Sequence, residues 1–178
     1  LSFSLSQSVF SCADVGTQQV ILTVTDGSGN SSSGIANVTI QDNIAPTSNC
    51  QDITIQLDAN GSATITAAQI DNGSSDNCGT VFLSASQLNF GCADIGVNTV
   101  TLTVTDANGN VSTCTATVTV VDNIAPTAIC QNATIQLDAN GVATLTAAQI
   151  DGGSYDNCGP LSFSLSQSVF SCADVGTQ

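Results

Sequence analysis

Residues 97–126 read VNTVTLTVTDANGNVSTCTATVTVVDNIAP, and their pattern decides the fold. Val100, Leu102 and Val104 alternate with Thr99, Thr101, Thr103 and Thr105. Past Asp106-Ala107-Asn108-Gly109-Asn110, the residues Cys114, Ala116, Val118 and Val120 alternate with Thr113, Thr115, Thr117 and Thr119. Successive strand side chains point to opposite faces, so each run has one apolar face and one hydroxyl face. Two such runs joined by a short turn containing Asn-Gly predict a β-hairpin with a buried side and a wet side. It ends at Asp122-Asn123-Ile124-Ala125-Pro126, where proline cannot donate to a ladder and stiffens the exit.

The same stretch stands earlier, at 17–46. Laying residue 1 over residue 81 aligns 1–98 with 81–178 without a gap, and 58 of the 98 positions match. Laying residue 1 over residue 161 aligns 1–18 with 161–178, and all 18 match. Self-similarity at a fixed period marks an array of folded units. This period exceeds that of a solenoid, so each unit is expected to be a small domain with its own core. Boundaries fall at the two Asp-Asn-Ile-Ala-Pro-Thr joints. They predict a complete module over 45–124, the C-terminal half of a module over 1–44, and the N-terminal half of the next over 125–178. Neither half buries a full core alone. The natural protein continues in both directions on the favoured reading; halves from neighbouring molecules complete each other on the alternative.

Within 45–124, Ile53, Ile55 and Leu57 mark a first strand, Asp58-Ala59-Asn60-Gly61 a turn, and 63–70 a second strand pairing back. A loop over 71–79 and short strands over 81–85 and 88–92 lead into the hairpin. Many short strands with no helical periodicity predict an all-β fold. The architecture expected is tandem immunoglobulin-like β-sandwich modules of roughly 80 residues, set end to end as a filament.

The chain has no Lys, Arg or His, and its fourteen Asp give a net charge of −14. Nothing is present to neutralise phosphates, so nucleic-acid binding is excluded, and attraction to an anionic membrane fails for the same reason. No apolar run is long enough to insert in a bilayer. Without His, Lys, Arg or Glu, the Asp, Ser and Cys side chains lack an activating base or an oxyanion-stabilising cation, so no catalysis is expected. Two roles remain. One is a stiff structural stalk; the other is binding of polysaccharide or ice by the Thr-rich sheet faces, whose regular hydroxyls motivate the idea.

Eight cysteines with no His to complete a metal site favour disulfides and export to an oxidising compartment, here the cell exterior. The complete module holds Cys50, Cys78, Cys92 and Cys114, which allow three connectivities. An immunoglobulin-like order sets Cys50 beside Cys114, while Cys78 and Cys92 bracket the loop and short strand over 79–91. The expectation is therefore Cys50–Cys114 and Cys78–Cys92, with Cys158–Cys172 as the repeat of the latter. Cys12 would find its partner outside the segment. Gly34 stands where Cys114 stands one period later, so Cys130 is expected to be unpaired.

Thirteen of the fourteen Asp recur at the repeat spacing, all in turns or joints; Asp52 alone does not. Asp and Asn suit turns because they bond their own backbone. A second reading gathers Asp42, Asp71, Asp76 and Asp106 at one joint, with Asp122, Asp151 and Asp156 as counterparts at the next. Carboxylates so placed repel one another, and a hard divalent ion such as calcium would neutralise them. No other cofactor is expected.

Val104-Thr105-Asp106, Gly109-Asn110, Cys114, Val118-x-Val120, Asp122 and Pro126 resemble the end of the hyalin repeat (HYR) module, and Cys50 matches the first cysteine of that family. The Asp-Asn-Cys-Gly and Cys-Ala-Asp-x-Gly elements are similar to variants in giant repetitive surface adhesins of Bacteroidota that serve gliding motility. Gln51 replaces the family's usual proline after the first cysteine. The resemblance implies extracellular immunoglobulin-like modules in an exported cell-surface filament. Its partners would be neighbouring modules of the same polypeptide and other copies of the filament.

Overall fold

The computed structural model describes residues 1–176. The chain is all-β, with strands β1 (Ser2–Leu5), β2 (Gly16–Thr25), β3 (Ser31–Ile40), β4 (Ile53–Gln56), β5 (Ser62–Thr64), β6 (Phe82–Ala85), β7 (Asn89–Gly91), β8 (Gly96–Thr105), β9 (Val111–Val121), β10 (Val142–Thr144) and β11 (Val169–Ser171). It is built as a β-sandwich in which a four-stranded sheet runs β4-β9-β8-β6 and β5-β7 form a small second sheet. β1-β2-β3 and β10-β11 make two more sheets. The hairpin expected at 97–126 forms as β8 and β9.

The chain groups into two compact units. Unit one comprises Leu1–Ile53, Ile65–Leu88 and Thr99–Thr117; unit two comprises Thr54–Thr64, Asn89–Asn98 and Val118–Gln178. The core of unit one is Ile65, Ile70, Val100, Leu102, Val104 and Ala116, each no more than 2% exposed. β6 lies antiparallel to β8 with Leu83 opposite Val104. Also in unit one, β2 pairs along its length with β3 and over part of it with β1. That sheet keeps Val20 buried but leaves Phe3, Leu5, Leu22 and Ile35 open to solvent, although Leu22 repeats the fully buried Leu102. In unit two, Leu57, Phe90, Val118, Val120 and Ala143 are buried.

The hairpin turn closes through its aspartate. Asp106 N–H donates to the Asn110 carbonyl at 3.0 Å. Asp106 Oδ1 accepts the N–H of Asn108 at 2.9 Å and of Asn110 at 2.8 Å. Gly109 takes φ +90°, in the left-handed region where a Cβ is strained. Asp26 builds the same turn between β2 and β3, accepting from Ser28 and Asn30.

The second strand differs from the expectation over 63–70. Only 62–64 is extended, and it pairs with β7 in antiparallel register, Ala63 opposite Phe90, instead of folding back on β4. Ala67–Gln69 forms a 3-10 turn. Its cause is local: Gln69 Oε1 accepts from the Thr66 N–H at 2.7 Å and from the Thr66 hydroxyl at 3.2 Å. Thr-x-x-Gln is a helix-start signature, and it overrides the apolar alternation here. Thr146 and Gln149 repeat it at the start of the short helix α1 (Ala147–Ile150).

The disulfides correct part of the expected pairing. Cys50–Cys114 forms. Cys78 bonds Cys12, and Cys158 bonds Cys92, so the expected Cys78–Cys92 and Cys158–Cys172 bridges are absent and Cys12 has its partner within the segment. Cys130 is free and exposed, as is Cys172. The reason is that each Asp-Asn-Cys-Gly loop turns its cysteine toward the Cys-Ala-Asp turn one period earlier, not toward the one that follows it. Gly34, on β3 opposite Leu22, has open space where a Cβ would stand, so crowding does not explain the missing cysteine.

Candidate functional site

Two cysteine-bearing elements recur and meet. The first is the Cys-Ala-Asp turn, a 3-10 helix at Cys12–Asp14 and Cys92–Asp94. Its aspartate anchors the preceding backbone: Asp14 Oδ2 accepts the Ser11 N–H and Asp94 Oδ2 the Gly91 N–H, both at 2.8 Å. Ser11, through backbone N–H and then hydroxyl, holds the Asp14 carboxyl below its ordinary pKa. The second element is the Asp-Asn-Cys-Gly loop. Asp76 Oδ2 accepts the Cys78 N–H at 2.8 Å, and Asp156 Oδ2 that of Cys158 at 3.0 Å. Each aspartate therefore fixes the backbone from which the sulfur projects.

Cys12–Cys78 lies within unit one and Cys92–Cys158 within unit two. Both span 66 residues with Cα atoms 5.1 Å apart, so the second is the first bridge repeated one period on. Gly61 seats the second bridge. Its φ is +71°, and a Cβ there would stand 2.5 Å from Cys92 Sγ and 2.9 Å from the Asn157 carbonyl oxygen. Asn157 in turn donates from Nδ2 to the Asp58 carbonyl and to Asp122 Oδ1, each at 3.2 Å. Gly141 repeats Gly61, at φ +73°, and a Cβ there would stand 2.8 Å from the free Cys172 sulfur.

In unit one the carboxylates of Asp42, Asp76 and Asp106 converge, with one oxygen from each inside a 4.8 Å group. Asp106 is 3% exposed; Asp42 and Asp76 are half-buried. Amides draw the three together. Asn108 Nδ2 donates to Asp42 Oδ2 at 3.1 Å, and Asn110 Nδ2 to the Asp42 carbonyl at 3.0 Å and to Asp106 Oδ2 at 2.7 Å. Burial pushes the Asp106 carboxyl up, but hydrogen bonds from the Asn110 side chain and from the backbone N–H groups of Asn110, Asn108 and Gly109 outweigh it and leave the pKa lowered. Asp76 Oδ1 is a buried oxygen without a hydrogen-bond partner.

The expected fourth member, Asp71, is not in this group. Its carboxylate folds back to accept the N–H groups of Gly73 and Ser74, both at 3.1 Å. Burial raises the Asp71 pKa, and the bonds from Ser74 and Gly73 more than reverse that. Asp151 is likewise committed to Ser154, whose side chain and backbone hold its pKa down. Asp122 accepts from Ile124 and Asn157, and Asp156 Oδ1 is buried without a partner like that of Asp76. Among the described residues, Asp122, Asp151 and Asp156 do not assemble into a second such cluster.

No family model matches the chain, and no curated protein does. Among solved structures, an endo-fucoidan hydrolase of glycoside hydrolase family 107 is similar at TM-score 0.32 and 17% identity, over 68% of this chain and 22% of that one. The segment thus spans less than a quarter of that protein, and a likeness this low carries no argument. No helix among the described residues is long and apolar enough to cross a membrane. Three disulfides belong with an oxidising compartment.

Proposed function

We propose that this chain is a structural segment of an extracellular filament: immunoglobulin-like modules follow one another at the repeat period and supply reach and stiffness to a cell-surface adhesin, without catalysing a reaction. The observation that carries the reading is the pair of congruent bridges, Cys12–Cys78 and Cys92–Cys158, each tying a Cys-Ala-Asp turn to the loop of the following repeat. Each bridge spans one of the Asp-Asn-Ile-Ala-Pro joints and would tie successive modules of an array together. The chain's uniform negative charge favours separate, soluble fibres over collapse. An antibody to the repeat, applied to intact cells, should decorate filaments outside the envelope in electron micrographs, with a module advance of roughly 35–45 Å from strands of about nine residues plus a linker. Label confined to the cell interior would overturn the proposal.

Calcium at the joint that holds Asp42 is part of the same reading. Asp42, Asp76 and Asp106 offer hard oxygen ligands in a chain without a single cationic side chain, and the unpartnered Asp76 Oδ1 fits a cation. Water would complete the six to eight ligands that calcium takes. Thermal unfolding with calcium and with a chelator decides the matter. A midpoint raised by millimolar calcium and lost in Asp76→Asn supports the site, while identical curves reject it.

A further inference from the structure

The order of the disulfides assigns the molecule a mechanical property: we propose that it is a length-limited tether, in which tension bypasses most of the fold. Consider the shortest covalent route from Cys12 to Cys158. It crosses sulfur to sulfur to Cys78, follows the backbone to Cys92, and crosses again to Cys158. Only fourteen backbone steps lie on this route, against 146 along the chain. At about 3.6 Å per fully extended residue the route measures roughly 50 Å plus two bridge spans, about 60 Å in all, where the uncrosslinked chain reaches about 530 Å.

Residues 13–77 and 93–157 therefore hang off the load path as closed loops. They contain both Asp-Asn-Ile-Ala-Pro joints, at 42–46 and 122–126, and the whole β8–β9 hairpin with its buried valines. Pulling on the ends cannot draw them out, whatever the stability of the fold. Segment 78–92 alone bears the force between the bridges, and of the strands only β6 and β7 lie on it. Cys50–Cys114 crosslinks the two loops and does not lie on the route. It stabilises the fold without shortening the tether. Pulled at its ends, the chain would hold its length even where the two loops unfold.

This inference rests on connectivity and stands apart from the adhesin reading, so each can fail without the other. The test is single-molecule pulling with handles at the two ends. Under oxidising conditions the span from Cys12 to Cys158 should never exceed about 60 Å, and dithiothreitol should release it to about 530 Å, roughly a ninefold change. Two double variants separate the roles of the bridges. With Cys92→Ala and Cys158→Ala, the shortest route runs from Cys78 back to Cys50, across to Cys114 and on to Cys158. The span should then lengthen by roughly 210 Å without reductant. Cys50→Ala with Cys114→Ala also loses one bridge yet should leave the oxidised maximum unchanged. An oxidised span of about 300 Å in the parent chain would mean pairing within each repeat, since the route would then run from Cys12 through Cys50–Cys114 alone, and would overturn the proposal. Lengthening on removal of Cys50–Cys114 would overturn it too.

Discussion

Gly61 and Gly141 offer a controlled comparison. Each sits after an Asp-Ala-Asn turn at nearly the same left-handed φ, +71° and +73°, and each would drive a Cβ against a cysteine sulfur. At Gly61 that sulfur is fixed in Cys92–Cys158; at Gly141 it is the free thiol of Cys172. Alanine in the left-handed region costs about 1–2 kcal/mol at either place. The free thiol of Cys172 rotates away, so Gly141→Ala should lose little more than that. At Gly61 the bridge and the Asn157 carbonyl both stand in the way, 2.5 and 2.9 Å from the new carbon. The bridge has to open, and a crosslink across 66 residues is worth about 4 kcal/mol in the chain-entropy account. Gly61→Ala should thus lose about 5 kcal/mol in total. Denaturant unfolding reads the energies, and thiol titration reads the bond. Two reactive thiols are expected in the parent chain and in Gly141→Ala, and four in Gly61→Ala. Equal losses, with two thiols in both variants, would refute the idea that Gly61 is required by the bridge.

Leu102→Ala, at a fully buried position, should cost about 2–5 kcal/mol by denaturant unfolding, while the same change at the more open repeat position Leu22 should cost clearly less. Equal costs would mean that the two hairpins are not packed differently. Acid should destabilise the chain in a defined direction. Asp58 is held below its ordinary pKa by the backbone N–H groups of Ser62 and Asn60, and Asp138 by those of Val142 and Asn140. A depressed folded pKa gives stability that is complete above the unfolded value of about 3.9 and disappears as pH falls through the folded one. Melting temperatures should hold from pH 8 to about 5 and drop below about 4, and Asp58→Asn with Asp138→Asn should flatten that drop. Asp52→Ala removes the 2.6 Å bond from the Thr117 N–H and should cost about 1 kcal/mol in the same unfolding assay.

The hairpin was readable because Thr alternates with apolar residues over 99–105 and again over 113–120, and a period of two has one structural meaning. Residues 63–70 misled because alternation competes there with a Thr-x-x-Gln signature, and the side-chain bonds of Gln69 win locally. The cysteines hold a different lesson. Pairing within repeats and pairing between repeats both leave two thiols over, one being Cys130, so counting cannot choose between them. What differs is only whether Cys12 or Cys172 is the other, and spacing cannot choose either, because a separation of 66 recurs at 12/78 and 92/158 just as one of 14 recurs at 78/92 and 158/172. Gathering Asp42 with Asp76 and Asp106 was legible from the strand alternation, which sets the loop over 71–79 and the turn over 106–110 at the end facing the preceding module. Excluding Asp71 was not, because its commitment to Gly73 and Ser74 depends on how the loop closes.

The turn aspartates carry one more consequence. Asp14, Asp26, Asp58, Asp106, Asp138, Asp151 and Asp174 are all kept ionised by groups of their own turns, and the chain has no histidine. Its surface potential consequently stays flat from mildly acidic to mildly alkaline water. Two copies of this chain would repel each other as strongly in mildly acidic water as in neutral water.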